Sequence, residues 1–65
     1  MRAKINNKVI EFDEFVKNSD TVSIIGKGYR YDSISPLILD SYDEILDKLL
    51  KNGYIELSGY WRRYY

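Results

Sequence analysis

Cysteine and histidine are both missing from this 65-residue sequence. Without thiols no disulfide can staple a small fold, and without thiolate or imidazole the usual zinc ligand sets cannot form. The missing imidazole also removes the common base that activates a hydroxyl. The six Ser residues and one Thr therefore lack the usual partner of nucleophilic catalysis. Long apolar runs are missing too. The longest uncharged apolar stretch, Ile34-Ser35-Pro36-Leu37-Ile38-Leu39, falls far short of the ~20 residues that span a bilayer. The opening Met1-Arg2-Ala3-Lys4-Ile5-Asn6-Asn7 has no apolar centre of the signal-peptide kind. Net charge is zero, which argues against a grip on many phosphates of a nucleic-acid duplex. These absences lead to the expectation of a soluble cytoplasmic chain that is not an enzyme, with no cofactor and no metal.

What remains must build one small domain covering residues 1–65. A chain of this length buries only about 60% of its unfolded surface, so stability has to come from apolar packing, from rings or from a second copy. Hydrophobic residues make up 45% of the chain and aromatic residues 15%, enough to favour folding over disorder, and seven of the ten rings are Tyr. Ile, Asn, Lys and Tyr supply 25 residues while Ala appears once. Their codons are A/T-rich, which points to an A/T-rich bacterium, plasmid or phage, and the opening Met1 with this length leads to the expectation of a small gene product of its own. The charges fall in blocks. Met1 to Ile10 is basic, Asp32 to Asp47 is acidic, and Ser58 to Tyr65 carries Arg62 and Arg63 without an acid. An acidic side and a basic side are expected.

Local patterns give an α+β order. Ala3, Ile5, Val9 and Ile10 flank Asn6-Asn7, a pair that tolerates the positive φ of a tight hairpin turn. Asp13 reads as the cap of a short helix over Glu14 to Asn18. Thr21 to Ile25 and Tyr29 to Ile34 alternate as strands around Gly26-Lys27-Gly28, with Pro36 ending the second. Ser41 with Glu44 reads as a capping box that opens a helix over about Tyr42 to Lys51. Its apolar stripe is Ile45, Leu46, Leu49 and Leu50, and Asn52-Gly53 supplies the stop. Tyr54 to Leu57 is a strand, and Gly59 bends the chain before an extended Tyr60 to Tyr65. The expected fold is a single antiparallel-rich sheet of four to five strands with the main helix, about 42–51, on one face. A winged helix is the alternative.

Three places carry candidate chemistry. Gly26-Lys27-Gly28 beside Tyr29-Arg30-Tyr31 could cradle an anion and stack a base, yet it has no phosphate-loop spacing and reads first as a hairpin turn exposing Lys27. Asp40, Asp43, Glu44 and Asp47 could act in acid–base work or hold Mg²⁺, but helix capping and dipole explain them as a solvated acidic face. The third is the ending Gly59-Tyr60-Trp61-Arg62-Arg63-Tyr64-Tyr65. Alternation there puts Tyr60, Arg62 and Tyr64 on one face and Trp61, Arg63 and Tyr65 on the other. Trp61 is expected to pack in part and the arginines to stay free.

Tyr, Trp and Arg are the residues enriched at interface hot spots. The sequence therefore reads as a small protein-binding factor, of the kind a phage or plasmid encodes to inhibit a host defence system. The expected partner-binding residues are Lys27, Tyr29, Arg30, Tyr31, Tyr60, Trp61, Arg62, Arg63, Tyr64 and Tyr65, and a protein partner or a homodimer is expected, with no membrane contact. The alternatives are a nucleic-acid-binding module built on the last strand, and a dimer that sequesters a nucleotide beside Gly26-Lys27-Gly28.

Overall fold

Asn6 and Asn7 take φ values of 46° and 76°, the left-handed pair that a two-residue hairpin needs. They join β1 (Arg2–Ile5) to β2 (Lys8–Glu11). The rest of the computed structural model, which describes residues 1–64, continues as β3 (Glu14–Lys17), β4 (Val22–Gly26), β5 (Tyr29–Ser33), α1 (Pro36–Asp40), α2 (Tyr42–Asn52), β6 (Tyr54–Leu57) and β7 (Arg62–Tyr64). The class is α+β, and the strands divide between two sheets.

One sheet has the order β2-β1-β6, with β1 antiparallel to β2 and parallel to β6. The other is antiparallel throughout, in the order β3-β4-β5-β7. Two corners join them. At the first, the Phe12 N–H donates to Met1 O at 2.9 Å, and the next residue, Asp13, donates to Ile25 O at 2.8 Å. The chain thus leaves one sheet and enters the other within a single peptide unit. At the second corner β6 passes into β7 through Ser58 to Trp61, held by the Asn6 Nδ2–H bond to Gly59 O at 2.6 Å. Strands that change sheets at bends are the usual way to wrap a small β structure around its own core.

The helix expected over Glu14 to Asn18 is strand β3 instead. Asp13 does not cap; its N–H joins the ladder to β4, and alternation then turns Phe15 inward opposite Ile24. The main helix is where the sequence puts it, ending at Gly53 with φ 69° and its N–H on Leu49 O. Its start differs from the expected capping box. Ser41 has φ −98° and ψ 6° and makes no side-chain cap bond, because its backbone is already closing α1 through a 3.1 Å bond to Leu37 O. Pro36, at the first position of α1, ends β5 as expected and opens a short helix the sequence did not announce. Leu50 is the second departure within α2. Leu49 is buried and Ile45 and Leu46 are half-buried, while Leu50 lies a further ~100° around the helix and is 72% exposed. With two helices among the described residues and strands across 22–33, the winged-helix alternative falls.

The core lies between the sheets and is closed by the helices. Phe12, Ile24, Val22, Leu49 and Ala3 are the most deeply buried of its apolar side chains. Tyr42 ties α2 to β3: its ring stacks on Phe15 with centroids 4.9 Å apart, and its hydroxyl donates to Phe15 O at 2.8 Å. Burial, followed by the charge of Asp43, raises the pKa of that hydroxyl above its ordinary 10.0. Above pH 10 the native state therefore holds a proton that the unfolded chain has released. Stability should be intact below pH 10 and fall as pH rises through the folded value. Urea midpoints on either side of pH 10 should show that fall, and Tyr42→Phe should reduce it. A midpoint unchanged by alkaline pH in the native chain would contradict this placement.

Candidate functional site

Register decides what the ending of the chain can do. Strand β7 runs antiparallel on β5, with Arg62 opposite Asp32, Arg63 opposite Tyr31 and Tyr64 opposite Arg30. Because successive side chains alternate, Arg30, Asp32, Arg62 and Tyr64 share the outer face. Tyr29, Tyr31 and Arg63 share the face turned towards the core. The sequence-derived division of the last strand into two faces holds for Arg62, Arg63 and Tyr64. Tyr60 and Trp61 precede the strand, and Tyr65 lies outside the described residues.

On the outer face the Tyr64 ring lies between two cations, with the Arg30 guanidinium 5.3 Å and the Arg62 guanidinium 5.2 Å from its centroid. Arg30 is also tied back by a 2.8 Å bond to Asp32 Oδ2. That hydrogen bond, more than the carboxylate charge, raises the Arg30 pKa. Asp32 Oδ1 accepts from Ser23 Oγ at 2.8 Å, and Asn18 Nδ2 reaches Thr21 Oγ1 at 3.2 Å and Ser23 Oγ at 3.5 Å. A line of polar contacts thus crosses the sheet and holds Arg30 in place. Arg62 makes no ion pair among the described residues, although Asp32 is its cross-strand neighbour.

The inner face reverses the pattern, with one cation between two rings. Arg63 lies 5.9 Å from the Tyr29 centroid and 5.7 Å from that of Tyr31, and the two rings meet edge to face at 5.9 Å. Tyr31 is buried and Tyr29 half-buried. Burial, then the nearby Asp13 charge, raises the Tyr29 pKa. The expectation that both arginines stay free needs correcting, since Arg62 and Arg63 each hold a ring. Cation–π contacts at exposed sites contribute about 0.5–1 kcal/mol each, so their main consequence is to fix the direction of the cations.

The remaining sequence-derived residues scatter around this ribbon. Lys27 is exposed at the tip of the β4–β5 hairpin, beside a shallow hollow it shares with Glu11, Asp13 and Tyr29. Two carboxylates in that hollow make it a poor cradle for a phosphate. Trp61 is half-buried against the core, as expected, and its indole N–H donates to Ser58 O at 3.1 Å. Tyr60 stands 75% exposed over a hollow of 210 Å³ shared with Thr21, Asp32, Ile34, Arg62 and Tyr64. Sequence reading missed Ile34 and the Asn18–Ser23–Asp32 relay. Asp32 was visible as the one acid in an alternating Tyr-Arg-Tyr-Asp strand, but its pairing with Arg62 across strands was not.

On α2, Asp47 is engaged by Lys51 at 3.0 Å, and no three acidic side chains converge among the described residues. Among the described residues no helix is long and apolar enough to cross a membrane. Neither protein-family models, curated proteins nor solved structures give a match to this chain.

Proposed function

We propose that this chain is a small non-catalytic protein-binding module whose contact surface is the β5–β7 ribbon. The observation that carries the reading is the exposed Tyr64 ring held between Arg30 and Arg62. Rings and guanidiniums fixed in advance lose little side-chain entropy on binding, and such residues dominate interface energetics. The exposed Arg62 guanidinium, which makes no ion pair among the described residues, favours a partner that offers a carboxylate beside an apolar or aromatic group.

The mixed charge around the ribbon argues for protein over nucleic acid, because Glu11, Asp13 and Asp32 interrupt the run of cations that a phosphate backbone would need. An inhibitor of a host defence system is one role for such a module. Affinity capture with the native chain and with an Arg62→Ala/Tyr64→Ala variant, followed by mass spectrometry, tests the reading. A protein held by the first and lost by the second, with both baits showing the same far-ultraviolet circular dichroism, supports it. Tight binding of a mixed single-stranded oligonucleotide at low salt, with no protein retained, would overturn it in favour of the nucleic-acid alternative.

A further inference from the structure

The hollow of 210 Å³ beside Tyr60 continues the outer face of the β5–β7 ribbon. Asp32, Arg62 and Tyr64 form its walls within the strands. Ile34, two residues beyond Asp32, and Tyr60, two before Arg62, extend those walls past the strand ends, and Thr21 completes them. Ile34 and Tyr60 are 69% and 75% exposed, so apolar surface faces solvent here. Two of the polar side chains are already engaged. Thr21 Oγ1 accepts from Asn18 Nδ2 at 3.2 Å, and the Asp32 oxygens accept from Ser23 Oγ and from Arg30 at 2.8 Å each. Arg62 is the charged lining group that makes no ion pair among the described residues.

These groups restrict what the hollow can hold. Arg30 and Arg62 are set against the single carboxylate of Asp32, so the local charge is positive and selects a carboxylate over an amine. Ile34 and the two rings suit an apolar or aromatic group. Size then separates a side chain from a free ligand. The hollow is smaller than the roughly 300–1,000 Å³ of pockets that enclose small molecules, yet larger than the about 150 Å³ that holds one benzene ring. One side chain of a larger partner fits it. The Arg62 guanidinium lies 5.2 Å from the Tyr64 centroid, so the partner's acid must sit close to its apolar group. Residues i and i+2 of an extended segment, about 7 Å apart on one face, meet that requirement.

We propose that this hollow is the anchor site of the binding module. It receives one apolar side chain, of about phenylalanine size, from an extended partner segment whose next-but-one residue is an acid paired with Arg62. The inference rests on the proposed protein-binding role and specifies what the partner must present. Burial of the ring supplies most of the affinity, and the exposed ion pair, which contributes little by itself, selects among sequences.

Titration of the isotope-labelled chain with the blocked peptide acetyl-Ser-Phe-Ser-Asp-Ser-amide, followed by nuclear magnetic resonance, tests it. Amide shifts should centre on Ile34, Tyr60 and Arg62 and saturate in the roughly millimolar range of a single anchor. Exchanging the peptide's Phe for Ser should weaken binding about tenfold or more. Exchanging its Asp for Asn should weaken it about threefold. Arg62→Gln in the chain should remove the second preference and keep the first. No shifts, shifts centred elsewhere, or equal binding of the Phe and Ser peptides would overturn the anchor. Tighter binding of N-acetylphenylalanine than of the peptide would overturn it in favour of a free small acid. Affinity capture separates this failure from failure of the module. A partner lost with Arg62→Ala/Tyr64→Ala but kept by an Ile34→Ser/Tyr60→Ser chain overturns the anchor alone, whereas loss with both supports it.

Discussion

Phe12→Ala should destabilise the protein by about 3–5 kcal/mol, the range for emptying an aromatic site in a core. A domain of this length has only about 3–10 kcal/mol in total, so this single change removes a large share of its stability. The reason is the corner. Phe12 is 1% exposed, and its backbone N–H is the last bond to β1 before Asp13 joins β4. Its ring therefore fills the space between the two sheets at the point where the chain changes from one to the other. Loss of the ring leaves a cavity that neither sheet can close without opening that bend. Thermal unfolding would measure it: at about 4–8 °C per kcal/mol for small domains, the melting point should drop by more than 10 °C. Leu50→Ala, at a side chain 72% exposed, is the matching control and should stay within about 0.5 kcal/mol. Equal small effects at both positions would show that Phe12 is not the wedge described.

Gly26→Ala is expected to be the second most damaging change, and it acts through the binding ribbon. A Cβ at this position would overlap the Tyr29 Cζ and lie 2.7 Å from its Cε2. Gly26 and Tyr29 are cross-strand partners at the end of the hairpin, and the ring folds back over the glycine. Adding the methyl group forces the ring to swing away from Tyr31 and Arg63, at a cost of about 1–3 kcal/mol of the kind seen on overpacking. The cause can be isolated with a double-mutant cycle. Gly26→Ala in a chain that already carries Tyr29→Ala should cost far less than in the native chain. If the two changes add without coupling, the ring is not what the glycine accommodates.

The sequence was most informative where one residue type has few conformational choices. Asn6-Asn7 and Gly53 marked a hairpin and a helix end because few other residues take left-handed backbone angles. The stripe around Leu49 marked α2, although the stripe alone could not say that Leu50 lay outside it. Asp13 misled because an acid before a short apolar segment has the same local appearance whether it caps a helix or enters a sheet. Only the partner strand β4 decides, and that partner is distant in sequence. The same limit applies to the ribbon. Alternation separated Arg62 from Arg63, but the cross-strand register that puts Tyr64 opposite Arg30 is set by the whole course of the sheet. Nor does any local pattern specify that β1 should lie parallel to β6.

That parallel pairing has a consequence for how the molecule comes into being. Arg2 to Ile5 lie beside Tyr54 to Leu57, about 50 residues further on, and the Arg2 N–H reaches Gly53 O at 3.0 Å. Until β6 exists, β1 has a partner on one edge only, and the corner at Phe12 encloses an incomplete core. A ribosome-bound chain would therefore hold its hairpins as unfinished pieces and fold cooperatively only after β6 emerges. With so much of its architecture resting on distant pairings, refolding should fall in the slow range of small domains, milliseconds to seconds rather than microseconds.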